Sequence, residues 1–382
     1  MSELERLLAA KEIVVTCGSG GVGKTTTAAA LGTMAAVHLG GKVLVLTVDP
    51  ARRLATAMGL EEFGNRETKV PTEAFVAAGV EPRGELWAAM LDTKASWDDL
   101  VGAHAPDAKT RDAILANPMY QNITGKFVQS HDYIAMERLY ELHASGTYDL
   151  IVVDTPPTRN AIDFLEAPER MAEFFSSKFL RLLITPYRSR LVNFASKPFY
   201  SMADRILGSQ FLEDIAEFFI LFQSMYSGFV ERARAVERVL SDRRTSFLVV
   251  TTLESAPVRE AGFFIDALSS KKLHLGALVL NKVLPDYLND DAATNVARRL
   301  CVDHDAIAAA LPVDVGDRDD VARVLVELGE SFLNFQVVAK REAEQRAELA
   351  VVPEIVVSVP YLDTDVFDLA GLVGIGAHLW RH

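Results

Sequence analysis

The chain has 382 residues, of which 49% are apolar and 24% are charged, so it can build a large core and is neither disordered nor fibrous. A net charge of −13 offers no basic surface for nucleic acid or anionic lipid. Cys17 and Cys301 stand far apart and predict neither a disulfide framework nor a cysteine zinc site. Since no signal leader and no apolar stretch of about 18 residues is found, a cytoplasmic protein is expected.

Short apolar runs recur along the chain and end in polar residues, glycine or proline. Their continuous Val, Ile and Leu content is typical of strands covered on both faces of a parallel sheet. Segments with helical periodicity separate them, and this alternation predicts an α/β fold with a doubly wound, mostly parallel sheet. The predicted strands are Ile13–Thr16, Lys42–Asp49, Leu86–Asp92, Asp149–Asp154, Phe247–Thr252, Leu275–Asn281 and Glu354–Val359, and the predicted helices are Lys24–His38, Asp132–Ala144, Val258–Ser269 and Asp319–Ala350.

A glycine-rich loop, Gly18–Thr26, follows the first strand and reads GSGGVGKTT before the first long helix. Such a loop brings backbone N–H groups against phosphate, and the helix N-terminus adds a favourable dipole. Its lysine reaches the β- and γ-phosphates, and the hydroxyl after it ligates Mg²⁺. The loop therefore predicts a site for nucleotide phosphates and Mg²⁺, the alternative being a turn that binds nothing. The predicted ligands are Gly18, Gly20, Gly21, Val22, Gly23, Lys24, Thr25 and Thr26, with Thr25 on the metal.

Two aspartates, Asp49 and Asp154, end apolar strands in VLVLTVDPA and LIVVDTPPT. Both are expected at the carboxyl edge of the sheet, where ligands bind in open α/β folds. A carboxylate there can orient an attacking water or hold Mg²⁺ through its water shell, and Asp154 is the second predicted metal residue. The alternative is that each aspartate caps the segment after it.

These motifs together resemble the SIMIBI class of P-loop proteins and, within it, the ArsA and tail-anchored-protein targeting ATPases. Asp49-Pro50-Ala51 resembles the switch I of that family, and Asp154-Thr155-Pro156-Pro157-Thr158 resembles its switch II. The resemblance implies ATP and Mg²⁺ as cofactors and ATP hydrolysis as the activity. It implies catalytic roles for Lys24, Asp49 and Asp154, with Asp49 positioning the hydrolytic water.

The chain departs from this family at Ser19, where the family carries a signature lysine that reaches the partner's phosphates across a dimer interface. Either the partner is a paralogous subunit that keeps this lysine, or the chain forms a homodimer with weak hydrolysis. Arg52-Arg53 and Arg159-Asn160 also differ from the family pattern, and the roles of these arginines stay open.

Two later motifs resemble the part of the family site that holds adenine. Asn281 resembles the adenine-side asparagine, and its amide suits a purine edge. Pro360-Tyr361 resembles the loop that closes over the base, with Tyr361 as a stacking group. For Tyr361 the alternative is plain packing at a strand end.

Residues 161–240 are too long for a strand-to-helix connection and are predicted to form a helical insertion in a P-loop core of residues 1–160 and 241–382. Ten of the chain's 20 phenylalanines fall between Met171 and Val230. In the targeting branch of the family, helices at this position form a groove for a client's transmembrane helix. An apolar stripe at helical spacing is formed by Phe211, Ile215, Phe218, Phe219 and Phe222. This stripe is predicted to bind a hydrophobic client or membrane partner, to pack on the core, or to form a dimer contact. Residues 61–129 receive no role.

Four functions follow from these observations. The leading one is a dimeric ATPase that couples nucleotide state to a hydrophobic client or membrane partner. The subunit of a metalloid pump is disfavoured because Cys17 and Cys301 form no cluster. A ParA- or MinD-like positioning ATPase is the alternative outside the family. A non-catalytic regulatory subunit is the fourth, because Ser19 replaces the signature lysine.

Overall fold

A computed structural model describes most of the chain. The described residues are 1–48, 52–60, 64–121, 128–155, 166, 170, 173, 209–223, 225–312, 317–349 and 353–381. In this part of the chain, no helix is both long enough and apolar enough to cross a membrane.

The strands of the described residues form one sheet. They are β1 (Ile13–Cys17), β2 (Lys42–Thr47), β3 (Thr68–Lys69), β4 (Glu85–Met90), β5 (Leu150–Asp154), β6 (Thr245–Thr251), β7 (Leu275–Val283) and β8 (Val356–Pro360). Their order across the sheet is β3-β4-β2-β5-β1-β6-β7-β8. The short β3 pairs antiparallel with β4, and the other pairs are parallel. The predicted α/β fold with a mostly parallel sheet is confirmed, and each predicted strand is present.

Helices cover both faces of this sheet. Those of the described residues are Glu3–Ala9, Lys24–His38, Arg52–Ala57, Thr72–Ala77, Thr93–His104, Ala108–Ala116, Val128–Ala144, Ser209–Gln223, Tyr226–Ser241, Ser255–Ser270, Asp291–Val302, His304–Ala310, Arg318–Leu349 and Leu369–Leu379, with a 3₁₀ turn at Asp286–Asn289. The four predicted helices are present, with ends that differ by a few residues.

Residues 61–129, for which the sequence predicted one strand but no helix and no role, contain three of these helices. Two of them begin at a side-chain cap: Asp92 accepts from the Ala95 N–H at 2.9 Å, and Asp107 accepts from the Thr110 N–H at 2.7 Å. An aspartate before a helix satisfies an amide that has no partner within the helix. The sequence contains these capping aspartates, but the apolar residues after them have too weak a helical periodicity to predict the helices.

Alternate strand residues face two separate apolar layers. Val14 and Val152 belong to the layer that contains the helices Lys24–His38 and Leu369–Leu379. Val15 and Val153 belong to the opposite layer, with the helices between residues 93 and 144 and between 218 and 268. Because both faces are covered, both sets of side chains are fully buried, which explains the continuous apolar runs.

Glycines bring the helix Lys24–His38 close to its neighbours. A Cβ added at Gly32 would lie 2.3 Å from Val45 Cγ2 in β2, and one added at Gly376 would lie 2.2 Å from Met34 Cγ. The helix therefore lies pressed between the sheet and the helix Leu369–Leu379. This packing fixes the N-terminal end of the helix, where the glycine-rich loop joins it.

The aromatic stripe of the predicted insertion packs inwards in the described residues. Phe218, Phe219 and Phe222 are 4%, 9% and 2% exposed. Phe222 stacks on Phe229, with ring centroids 5.5 Å apart, and contacts Trp97 at 6.4 Å. Of the three outcomes considered for this stripe, these three side chains fit packing on the core. The other two stripe residues have side chains outside the described set.

An ion pair anchors the same region. Arg232 Nε lies 2.6 Å from Glu137 Oε1, and the two side chains are 13% and 1% exposed. The Tyr133 hydroxyl donates to the other oxygen of Glu137 at 2.8 Å. Burial raises the pKa of the Glu137 carboxyl, which the nearby Arg232 opposes. The helices Val128–Ala144 and Tyr226–Ser241 are thus joined by polar as well as aromatic contacts.

The burial of the stripe predicts a stability effect. Replacing Phe222 by leucine should lower the free energy of unfolding by about 1 kcal/mol, because the smaller side chain leaves part of the aromatic cluster unfilled. Phe263→Leu is the matched control, since Phe263 is 65% exposed on another helix. Urea unfolding of both variants measures the difference. Equal stabilities would contradict the assignment of Phe222 to the core.

The division into a core of residues 1–160 and 241–382 and an insertion of residues 161–240 stays a prediction. Strands of the sheet lie on both sides of the insertion in sequence, and the helices Ser209–Gln223 and Tyr226–Ser241 lie within it. Most of residues 161–208, which include Phe174, Phe175 and Phe179, lie outside the described residues.

Candidate active site

The candidate site lies where three neighbouring parallel strands end. β5 pairs with β1 on one side and with β2 on the other, so their carboxyl ends adjoin. β1 leads into the glycine-rich loop, β5 ends in Asp154, and β2 ends in Thr47. This is the edge at which open α/β sheets bind ligands.

The backbone of the loop requires glycine at two positions for different reasons. A Cβ at Gly18, where φ is 151°, would lie 2.0 Å from the carbonyl oxygen of Val250 in β6. Gly23 has a φ of 94°, and a Cβ there would lie 2.2 Å from Asn281 Nδ2. The loop therefore passes so close to β6 and to the end of β7 that a side chain would not fit at either position.

This packing predicts unequal effects of two alanine substitutions. Gly21 also has a positive φ, of 79°, but a Cβ there would meet nothing within 4 Å. Gly21→Ala should therefore lower the free energy of unfolding by roughly 1 kcal/mol through the left-handed backbone alone. Gly23→Ala should cost at least twice as much, roughly 2 kcal/mol or more, because the clash with Asn281 adds to the backbone strain.

Thermal or urea unfolding of the two variants without nucleotide compares them directly. Adding Asn281→Ala to Gly23→Ala should recover part of the loss, since it removes the clashing amide. Equal destabilisation by the two alanines would contradict the close approach of Asn281 to the loop.

Lys24 is held inside the loop. Its side chain is 5% exposed, and its Nζ donates to the Ser19 carbonyl oxygen at 2.8 Å. The loop thus curls around the lysine ammonium. A buried cation in a ring of backbone N–H groups is a strong site for phosphate oxygens.

Ser19 is the loop residue at which the resemblance drawn from the sequence expects a lysine. Its hydroxyl oxygen is buried and has no hydrogen-bond partner within the described residues. A serine side chain is too short to reach across an interface, and it carries no charge. The chain therefore supplies a neutral polar group at this position.

Asp154 is fully buried at the end of β5. Its Oδ2 accepts from the Thr47 hydroxyl at 2.9 Å, so two of the strand ends are joined by a side-chain hydrogen bond. The next residue, Thr155, donates through its hydroxyl to the Thr16 carbonyl oxygen at 2.8 Å. Thr47 and Thr155 were not among the predicted residues, although both flank the aspartates in the motifs. Asp49 lies outside the described residues.

A cleft of about 770 Å³ opens beside the loop and the end of β7. Its walls contain eight of the predicted residues, namely Gly21, Gly23, Lys24, Thr25, Thr26, Asn281, Pro360 and Tyr361. The structure thus brings together segments that lie more than 300 residues apart in sequence. Gly18, Gly20, Val22 and Asp154 are not among the lining residues, and Thr155 lines the cleft in place of its neighbour.

Asn281 joins the end of β7 to the loop. Its Nδ2 donates to the Val22 carbonyl oxygen at 2.7 Å, and its Oδ1 accepts from the Lys282 N–H at 3.0 Å. The amide thus uses one donor and one acceptor within the protein and keeps one N–H and one lone pair. Its predicted contact with a purine edge stays a prediction, and its contact with the loop is a role that the sequence did not indicate.

The far wall of the cleft carries exposed aromatic rings. Tyr361 is 61% exposed and Phe367 is 67% exposed. The Tyr361 N–H donates to the Val283 carbonyl oxygen at 2.9 Å, which holds the turn after β8 against the end of β7. Because Tyr361 faces the cleft rather than the core, packing is not its role. Lys282 and Asp365 also line this wall, and sequence reasoning missed both together with Phe367.

The cysteines are separate and one of them is inert. Cys17 is buried, and burial raises the pKa of its thiol to about 12, so the thiolate that binds soft metals is not formed near neutrality. Cys301 is half-buried on the helix Asp291–Val302. Both cysteines are free thiols in the structure.

The polar groups of this site fit a nucleoside triphosphate with Mg²⁺. At Gly21, which lines the cleft, a Cβ would meet nothing within 4 Å, so the loop backbone is open to a ligand at this point. Lys24 supplies a buried cation, and the Thr25 hydroxyl and the Asp154 carboxylate supply the oxygen ligands that Mg²⁺ prefers. The apolar and aromatic far wall suits a base.

Comparison with known proteins points to one family. Residues 11–307 match the ArsA ATPase family, described as anion-transporting ATPases. An uncharacterized protein of Streptomyces coelicolor is 29% identical over 70% of this chain and 62% of its own length. A putative arsenical pump-driving ATPase of Aquifex aeolicus is 25% identical over 72% of this chain and 64% of its own length. The ATPase get3 of Pyrenophora tritici-repentis is 25% identical over 74% of this chain and 77% of its own length.

The chain spans less than two thirds of the length of the first two of these relatives. The matched residues run from the start of β1 to the helix His304–Ala310, and they include the loop, Asp154 and Asn281. The resemblance drawn from the motifs is thereby confirmed over most of the chain. The chain belongs to the ArsA ATPase family.

Proposed function

We propose that this chain binds ATP with Mg²⁺ and hydrolyses ATP to ADP and phosphate as one subunit of a dimeric ATPase. The observation that supports this most directly is the cleft lined by the glycine-rich loop, the buried Lys24 and Thr155, which directly follows β5. Membership of a family of ATPases supports the reaction class.

In this proposal each residue of the chain has a defined part. Lys24 holds the β- and γ-phosphates, and the loop N–H groups surround them. Thr25 and Asp154 hold Mg²⁺, with Asp154 acting through water, and Asp49 positions the hydrolytic water. The metal would neutralise charge that develops on the phosphate oxygens. Asn281, Pro360 and Tyr361 hold the base.

The test is direct. The purified chain should bind a fluorescent ATP analogue and release phosphate from ATP when Mg²⁺ is present. No binding at millimolar ATP would reject the proposal. Binding without release would favour a non-catalytic, nucleotide-binding regulatory subunit, which is the second candidate because Ser19 offers no charge at the signature position.

We further propose that a paralogous subunit with the lysine of a GKGG loop completes the site, the alternative being a homodimer. Ser19 supports this, because neither copy of a homodimer could supply the lysine. Co-purification from native cells should recover such a paralogue, and mixing the two chains should raise the hydrolysis rate. Brisk hydrolysis by the chain alone would remove the need for this partner.

A hydrophobic or membrane-protein client, handled in the cytoplasm, is proposed from the phenylalanine-rich insertion. The burial of Phe218 and Phe222 restricts any client surface there to other residues. An apolar helical peptide should bind in an ATP-dependent manner; binding that ignores nucleotide would contradict the coupling. A metalloid cargo is disfavoured by the lone, inert Cys17.

A further inference from the structure

The helix Arg318–Leu349, called here the long helix, spans 32 residues and lies beyond the segment that matches the family. It packs on the helix Asp291–Val302, where a Cβ added at Gly329 would lie 2.6 Å from the Ala297 carbonyl oxygen. Gln336 donates to the Thr294 hydroxyl in the same contact. One face of the long helix is therefore occupied within the chain.

A different face of the long helix is apolar and exposed. Val324, Leu328, Phe335 and Val338 are 49%, 57%, 54% and 45% exposed. They lie roughly 140° around the axis from the face that holds Gly329, at about 100° per residue. Single exposed apolar side chains are ordinary, but four on one helix face mark a contact surface.

The spacing of this face identifies the kind of partner. The face, called here the seam, alternates steps of three and four residues, which is the heptad pattern of a coiled coil. Its members are Val321, Val324, Leu328, Ser331, Phe335 and Val338. A heptad seam fits another helix that carries the same repeat. The seam ends at the next heptad position, because Glu342 there accepts from the Leu284 N–H at 3.1 Å within the chain.

We propose that the long helix pairs with the long helix of a second copy of this chain in an antiparallel coiled coil. Antiparallel pairing about a two-fold axis sets Val324 opposite the partner's Phe335 and Leu328 opposite the partner's Ser331. Val321 then lies opposite the partner's Val338. A larger residue meets a smaller one in the layers of Phe335 and Leu328, and two valines meet in the outer layer.

The charged residues beside the seam favour an antiparallel pair and favour a second copy of this chain as the partner. In this register Asp320 lies beside the partner's Arg341, twice by symmetry. A parallel pair would instead set Arg341 beside the partner's Arg346. Asp320 also contacts Arg323 at 2.8 Å in its own helix, but both side chains are about two-thirds exposed, so that pair is weak and can be exchanged.

The seam and the nucleotide cleft use different residues, since none of the residues lining the cleft belongs to the long helix. The pairing is therefore independent of nucleotide and goes beyond the proposed function. It leaves the cleft of each copy open to a further partner.

Sedimentation velocity of the full chain without nucleotide tests the pairing. The wild-type chain should form a dimer, and Leu328→Glu or Phe335→Glu should raise its dissociation constant at least about 100-fold, because each substitution acts twice in the interface. Val337→Glu is the matched control, since Val337 is 52% exposed on the same helix but lies off the seam. It should leave the dimer unchanged. Circular dichroism melting verifies that the variants are folded.

Charge reversal tests the register and the identity of the partner together. Asp320→Arg and Arg341→Asp should each weaken the dimer about tenfold, and the double variant should restore it. A monomeric wild-type chain would overturn the proposal. A chain that stays monomeric and binds an apolar helical peptide would overturn it as well. A dimer that survives Leu328→Glu would overturn it by placing the contact on another face. Failure of the double variant to recover would overturn the antiparallel register.

Discussion

Lys24→Ala is expected to weaken ATP binding at least about 100-fold and to reduce hydrolysis below detection. The Lys24 ammonium is buried in the loop and would make charge-assisted hydrogen bonds to two phosphates, each worth about 1.5–3 kcal/mol. Alanine removes the charge and leaves the loop carbonyl at Ser19 without its donor at 2.8 Å. Titration with a fluorescent ATP analogue measures the loss.

The control must separate loss of the phosphate contact from damage to the loop. Lys24→Met keeps most of the side-chain volume without the charge, so it should lose affinity as alanine does. Lys42→Ala removes a lysine that is exposed at the opposite edge of the sheet, and it should bind ATP normally. Unchanged affinity in a folded Lys24→Ala variant would show that the loop does not hold phosphate through this residue.

The sequence predicted those features whose residue pattern follows directly from the element that contains them, such as a buried strand, a tight loop or a strand end. The apolar run of β5 is continuous because Val152 and Val153 are buried in opposite layers. The loop could be recognised because glycine is required where backbone closely approaches backbone, as Gly18 approaches Val250. Asp154 could be placed because a strand ending in a carboxylate has one expected edge in a parallel sheet.

The parts that were missed depend on contacts between distant segments. Asn281 was predicted to read a base, but its amide also holds the Val22 carbonyl, 259 residues away. The stripe at Phe218 and Phe222 has the periodicity of both a groove and a core, and its contacts with Trp97 and Tyr120 outside the insertion favour the core. Periodicity identifies an apolar face without identifying what covers it.

Asp154→Asn is expected to reduce ATP hydrolysis at least about 100-fold while leaving Mg²⁺-free ATP binding close to wild type. The amide has the same shape and can still accept from the Thr47 hydroxyl, which lies 2.9 Å from the carboxylate. It lacks the negative charge that holds the water shell of Mg²⁺ in the proposed site. The added affinity that Mg²⁺ gives to ATP should therefore disappear, and binding titrations with and without Mg²⁺ measure it.

Asp149→Asn provides the matched control at the other end of the same strand. Asp149 accepts from the Lys42 N–H at 2.7 Å on the exposed, opposite edge of the sheet, so its replacement should leave hydrolysis intact. Thr47→Val removes the hydrogen bond to Asp154 without changing its charge and should slow hydrolysis by roughly five- to tenfold, the value of one hydrogen bond. If Asp154→Asn hydrolysed ATP with the wild-type dependence on Mg²⁺, the carboxylate would be a structural strand-end residue. The graded order of the three variants thus separates a metal role for Asp154 from a packing role, because only a metal role makes the charge matter more than the hydrogen bond.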